Sequence, residues 1–461
     1  MPRNLFLSLV TLLAFPLSAL SAVDTKPYDV VVYSGTPCGI AASIMAAREG
    51  ASVILIEPTK HVGGLSTSGI NTAETEHMLK WTIGGFADEF YKRLGKHYKL
   101  KNDRPAYEFE SGVAEKIYLD MLNEAEAPLK FGAHITAVSK RGQSIQQITL
   151  SDGTTISGKV FIDASYEGDL MAKAGVSYTF GRESRKEFGE SLAGIRFDNE
   201  TRAASTLNPK GGLLPGIRGW KKNFKEGDAH PCVMNYNFRL IATRKPEHRV
   251  PFPKPKNYDR SRYQLLANWL QSPEAKGKSL KLGSLVGLYG RRNGKFEMNN
   301  KQSAIISLGH FGGQLNWPDA SYEDRQKIYA DHLDYTLGFL HFLATDEVVP
   351  ENLRKDVSQV GLHKDEFADN GHLPYQLYVR EGRRMRGQYV VRQQDIQTER
   401  RKQDSIGMGS HFMDSHHVQR LAVSPTEFIN EGRIWRMGYA YQIPYRSITP
   451  KPNECTCLLY T

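Results

Sequence analysis

A chain of 461 residues, 40% hydrophobic and 24% charged, can bury a large core and more than one domain, which excludes a disordered or coiled-coil protein. Its formal charge of +10 arises from 60 Lys and Arg against 50 Asp and Glu, a basic surface of mixed sign. No arginine-rich arm, zinc-finger spacing or aromatic RNA-binding signature accompanies that charge, so no nucleic-acid partner is expected.

At the N-terminus Arg3 precedes an apolar run from Leu5 to Leu20, with small residues at Ala19, Ser21 and Ala22. This layout predicts a signal peptide over residues 1–22, cleaved near Ser21 or Ala22. An uncleaved anchor is the alternative, but the run is short for a span and holds Pro16. The expectation is an exported protein, periplasmic or extracellular, with no stable membrane anchor after cleavage. Cys38, Cys232, Cys455 and Cys457 are too scattered for a disulfide framework. The pair Cys455 and Cys457 lacks a second pair or nearby histidines, so no metal is expected.

Tyr28 to Tyr33 (YDVVVY) predicts a buried parallel strand, and the turn Ser34-Gly35-Thr36-Pro37-Cys38-Gly39 follows directly. Ile40 to Arg48, rich in alanine, predicts a helix; Ser52 to Ile56 predicts a second strand ending in Glu57, 22 positions beyond Gly35. In such a βαβ unit glycines allow the tight turn and close helix packing, and amides at the helix start face a pyrophosphate. Glu57 would accept hydrogen bonds from a ribose diol and repel a 2′-phosphate. In the register G-x-G-x-x-G, Ser34 and Thr36 stand at the first two glycine positions and only Gly39 matches. Next come His61-Val62-Gly63-Gly64 and the small, polar stretch Leu65-Ser66-Thr67-Ser68-Gly69, able to run close under a large flat cofactor.

The segment from Tyr28 to Gly69 resembles the opening of the FAD-dependent oxidoreductase family common among exported bacterial proteins, some of whose members are labelled "xanthan lyase". The resemblance implies an α/β fold: a Rossmann-type FAD-binding domain with an inserted α+β substrate domain. It implies FAD as cofactor, with Ser34, Gly35, Thr36, Pro37, Cys38, Gly39, Glu57, Gly63, Gly64, Leu65 and Ser66 around it.

Further along, Glu110 to Ala125 predicts a helix and Lys130 to Val138 a strand. Ile145 to Leu150 and Thr155 to Phe161 flank the turn Ser151-Asp152-Gly153-Thr154, a hairpin. Val160 to Leu170 then resembles the family's second motif, in which Ala164, Ser165 and Gly168 approach the cofactor by backbone. Asp169 either contacts the flavin or caps the following helix. Arg244 to Lys256 predicts an exposed loop, Tyr322 to Leu343 a helix, and Arg380 to Lys402 a charged helix followed by a loop. The segments Tyr375–Asp395, Ser405–Arg420 and Tyr441–Ile448 again resemble the family. The expected division is 23–180 for the first part of the FAD domain, 181–403 for the substrate domain and 404–461 for the return.

A flavin enzyme needs a group that takes a proton as hydride leaves the donor, and histidine titrates near neutrality. His416 and His417 are the catalytic candidates; a hydrogen-bonded structural role is the alternative. Arg383, Arg384 and Arg446 either bind an anionic group or form ordinary salt bridges. Family members continue past Tyr441–Ile448 into a strand, a glycine turn and a helix; here the sequence stops at Thr461, within the expected strand. The leading reading is an exported oxidoreductase acting on a small polar molecule, a sugar or saccharide fragment, with an unknown electron acceptor. A truncated or non-catalytic relative is the second reading and a polysaccharide lyase the third.

Overall fold

A computed structural model describes residues 26–197 and 200–461; the leader over residues 1–22 lies outside the described residues. Strand β1 (Tyr28–Tyr33) leads through the turn into helix α1 (Pro37–Arg48) and strand β2 (Val53–Glu57), which pairs parallel with β1. The helix starts three residues earlier than its alanine-rich run suggests. Pro37 opens it, its fixed φ and missing N–H suiting the first helical position, and Thr36 caps it. Helices α2 (Gly85–His97) and α3 (Ser111–Glu124) follow.

Lys130 to Val138, read as one strand, is two. Strand β3 (Leu129–Phe131) pairs parallel with β2, whereas β4 (Ile135–Arg141) pairs antiparallel with β5 (Ser144–Leu150) at the other end of the sheet. Gly132 separates them with φ of +75°, its N–H donating to the Glu57 and Thr59 carbonyls. Strand β6 (Thr155–Asp163) returns from the hairpin to pair parallel with β1 and leads into helix α4 (Asp169–Lys173). The sheet order is β3-β2-β1-β6-β5-β4, and Leu458–Tyr460 adds a strand parallel to β6.

Alternation along β1 feeds two cores. Val32 packs with Ile40, Ile44, Leu55, Ile117 and Met121 on one face; Val31 and Tyr33 pack with Ile56, Ile148, Phe161 and Leu170 on the other.

The middle region carries its own sheet, in the order Arg249–Val250, Gly361–His363, Leu240–Thr243, Lys295–Asn300, Val286–Gly290, all neighbours antiparallel. Helix Tyr322–Thr345 packs with it around Tyr236, Phe238, Tyr263, Phe339 and Phe342. Part of the expected loop Arg244–Lys256 is therefore an edge strand. Of residues 404–461, the hairpin of Gln419–Ser424 and Glu427–Glu431 pairs with Gly219–Trp220 and Arg202–Ala203 of the middle region, while Leu458–Tyr460 rejoins the first sheet. Among the described residues, no helix is long and apolar enough to cross a membrane.

The charged helix expected from Arg380 is absent. That stretch holds only the two-residue strand Arg384–Met385 and the short helix Gln393–Gln397. Two of its arginines reach carboxylates distant in sequence instead: Arg383 pairs with Asp169 and Asp319, and Arg384, besides its neighbour Glu381, with Glu183. These tertiary ion pairs override the local preference for helix.

Candidate functional site

The C-terminal ends of the parallel strands β1, β2 and β6 converge where open α/β sheets place their ligands. Ser34 leaves β1 with φ of +78°, a left-handed conformation natural to the glycine that this register favours. Thr36, at the second glycine position, turns its hydroxyl inward. It donates to the Ala164 carbonyl at 2.8 Å and accepts the Gly39 N–H at 3.3 Å, keeping its bulk away from the helix entrance. Gly39 must be glycine: a Cβ there would sit 2.0 Å from the Ser34 carbonyl oxygen and 3.1 Å from the Ala164 Cβ. Cys38 is exposed at the tip of the turn, and its N–H belongs to the first helical turn, which offers no internal acceptor.

Glu57 lies buried at the end of β2. Its two oxygens accept from the Gly35 N–H and the Thr59 N–H, each at 2.7 Å, which braces the turn. Burial raises its carboxyl above the ordinary range, against those hydrogen bonds. Each oxygen retains lone-pair capacity for a diol.

The second arm comes from β6. Asp163 accepts from the Ser165 N–H and hydroxyl at 3.0 and 2.7 Å and from the Met171 N–H at 2.8 Å. Burial lifts its carboxyl to about 6. Asp163 thus caps α4, the role left open for Asp169. Asp169 instead holds Arg325 at 2.6 Å and Arg383 at 2.8 Å, both buried. Ser165 accepts the Gly168 N–H at 2.9 Å, closing the small-residue turn.

Ser34, Thr36, Glu57, Gly64, Ser165 and Asp169 line one cleft. Behind them, Gly35, Gly39, Ala164 and Gly168 supply close backbone packing, and Pro37 opens α1. Gly63 accepts the Ser66 hydroxyl at its carbonyl. Gly64 has φ of +50°, and a Cβ there would come within 2.5 Å of the Tyr166 hydroxyl, which accepts the Leu65 N–H at 2.9 Å. Bare backbone, a carboxylate at the β2 tip and small residues in the turn after β6 fit an adenine dinucleotide.

Several cleft residues escaped the sequence reading. Tyr322, Arg325 and Tyr329 share one face of the long helix, a spacing visible in the sequence but undirected there. Tyr375 donates to the Thr67 carbonyl at 2.7 Å and stacks on His61 at 3.8 Å between centroids. Glu167 faces the same cleft; burial lifts its carboxyl to about 7, with Arg325 opposing and Asp169 and Asp163 assisting.

From Thr67 the chain runs to Thr72 and Glu74, on the wall of a second, polar cavity lined also by Arg239, Asn299, Asp414, His416 and Arg433. Burial and the charges of Arg380 and Arg239 hold His416 well below the usual imidazole range, so its ring is neutral. Its Nδ1 is buried without a hydrogen-bond partner. His417 is buried beside it but is not among the lining residues. Asp414, unnoticed in the sequence, lines the cavity with a solvent-exposed side chain whose carboxyl is raised by the surrounding protein's desolvation against the pull of Arg380. Arg446 lies apart, on the surface, paired with Asp404 at 2.9 Å.

Among curated proteins, the NADH:fumarate oxidoreductase of Klebsiella pneumoniae is 37% identical over 81 residues, spanning 17% of this chain and only 9% of the relative. Among solved structures, a variant flavin monooxygenase from Stenotrophomonas maltophilia matches at 16% identity over 34% of this chain and 42% of its own, with a TM-score of 0.24. The thioredoxin reductase of Streptococcus pyogenes matches at 17% over 30% of this chain and 35% of its own, with a TM-score of 0.21. Likenesses of this extent carry no argument about activity. The family model described as FAD dependent oxidoreductase, by contrast, matches residues 29–461. The chain therefore belongs to the FAD dependent oxidoreductase family, an α/β flavoprotein with a Rossmann-type domain and FAD as its cofactor.

Proposed function

We propose that this protein is an exported oxidoreductase that takes a hydride from a small polar donor, a sugar or saccharide fragment, and that residues 181–403 form its substrate domain. The observation that carries the reading is the turn from Ser34 to Gly39 braced by Glu57, a cradle in which any Cβ at Gly39 would collide with backbone. Glu57 would hold the ribose diol, amides at the start of α1 would hold the diphosphate, and Gly63 to Ser66 would offer backbone to the rest of the cofactor. FAD, when bound, supplies the two-electron acceptor. Export rests on the apolar leader from Leu5 to Leu20.

The donor's place is the cavity of Arg239, Asn299, Asp414 and His416, whose mixed donors and acceptors suit a polyhydroxy molecule. As the donor's C–H bond breaks, its hydroxyl proton passes to this chain. Asp414, with its raised carboxyl, is the better acceptor, and neutral His416 beside it positions the hydroxyl.

Purified full-length protein should show flavin absorption, and Glu57→Arg should weaken FAD binding by about tenfold or more. Unchanged retention in that variant would remove the ribose role. Anaerobic bleaching by a panel of sugars should then identify a donor, and a flavin-loaded protein that no sugar bleaches would defeat the substrate reading. Asp414→Asn should lower kcat more than His416→Gln; the reverse order would make the imidazole the acceptor.

A further inference from the structure

His248 closes the one-turn helix Pro246–His248, directly before the edge strand Arg249–Val250. His363 closes the neighbouring strand Gly361–His363, with Arg249 as its antiparallel partner, and the Lys364 N–H donates to the His248 carbonyl at 2.9 Å. This register lays the two imidazoles side by side, centroids 5.2 Å apart and planes 12° from parallel. Asp365, two residues on, turns its carboxylate toward both rings: Oδ2 stands 3.9 Å from His248 Nδ1 and 3.8 Å from His363 Nδ1.

Those separations exceed hydrogen-bond reach, so the carboxylate satisfies neither ring directly. His248 Nδ1 and His363 Nε2 are buried with no hydrogen-bond partner, whereas His363 Nδ1 accepts the Asp365 N–H at 3.3 Å, a contact that an ion at that nitrogen would displace. The three ligand atoms lie within 4.8 Å of one another. Ligands each about 2.1 Å from a tetrahedral ion are about 3.4 Å apart, so a small closure of the cluster would seat one.

We propose that His248, His363 and Asp365 bind a divalent first-row transition-metal ion, with zinc the best match. Two imidazoles and one carboxylate form the borderline set that such ions take, whereas calcium and magnesium prefer oxygen alone. The positive charge of Lys295 opposes an ion, but Glu110 at 2.5 Å and Glu366 at 2.7 Å offset it. Asp365, with its side chain 57% exposed, opens the site to solvent. A bound ion would tie the two-residue edge strand to its neighbour, beside the Lys295–Glu110 link to the nucleotide domain.

Tag-free, full-length protein, stripped with a chelator and titrated calorimetrically with zinc chloride, should bind one equivalent. Cobalt(II) should give visible d–d absorption on the same protein. His248→Gln and Asp365→Asn, both at accessible positions, should each weaken binding by about 10- to 100-fold while leaving flavin content and melting of the metal-free protein unchanged. Absence of saturable binding would overturn the proposal, as would one-equivalent binding retained in the double variant.

Discussion

At the turn from Ser34 to Gly39, recognition depends on backbone conformation and on side chains kept out of the way; between Arg380 and Lys402 it depends on long side chains reaching carboxylates elsewhere in the chain. The first region is local. Its strand, turn, helix and acid lie within thirty residues, and Ala164 meets Thr36 and Gly39 from a distance. The second is global: Arg383 is held by Asp169 and Asp319, and Arg384 by Glu183. A local device can be read from spacing, whereas a network of distant ion pairs is invisible until the chain is folded.

Breaking the network should have the largest effect. Asp169→Ala leaves Arg325 and Arg383 buried beside an empty position and should cost about 3–5 kcal/mol in denaturant melts. A cost below about 1 kcal/mol would mean that Asp319 or solvent takes over. Gly39→Ala tests the local device. Its Cβ meets backbone at 2.0 Å, so it should destabilise the protein by about 1–3 kcal/mol and abolish co-purifying flavin. Stable, flavin-loaded protein would show that α1 can slide outward.

Glu167 sharpens the comparison through pH. Its folded value of about 7 stands above the ordinary 4.5, so between these values the folded state keeps a proton that the unfolded chain has lost. Its contribution to stability therefore falls as pH rises through that window, and Glu167→Gln should remove the fall from a pH series of melts. FAD retention should weaken only as pH rises through about 7, where the folded carboxyl ionises and begins to repel a diphosphate. Ser34→Gly should produce the smallest change: relief of the left-handed conformation at φ of +78° should stabilise by at most about 1 kcal/mol, with FAD affinity unaltered. A loss of stability would show that the Ser34 side chain contributes more than its backbone costs.

Much of the nucleotide half was legible, and so was the long helix of the middle region. The β-branched run of β1, the hairpin at Asp152-Gly153 and the helix from Tyr322 all form where their patterns place them. Errors came where one pattern served two partners. Lys130 to Val138 has the composition of a single strand, but Gly132 divides it between opposite ends of the sheet. His416 and Asp414 stand within three residues, yet only the fold shows that they share a cavity with Arg239 and Glu74.

By itself the sequence determined the order of elements around the cofactor and the chemistry available at the tip of β2, because periodicity and turn residues act over a few positions. Tertiary structure alone decided which charges pair, where His416 faces, and that His248 meets Asp365. Such meetings are set by sheet register, which joins residues more than a hundred positions apart and leaves no local trace in composition.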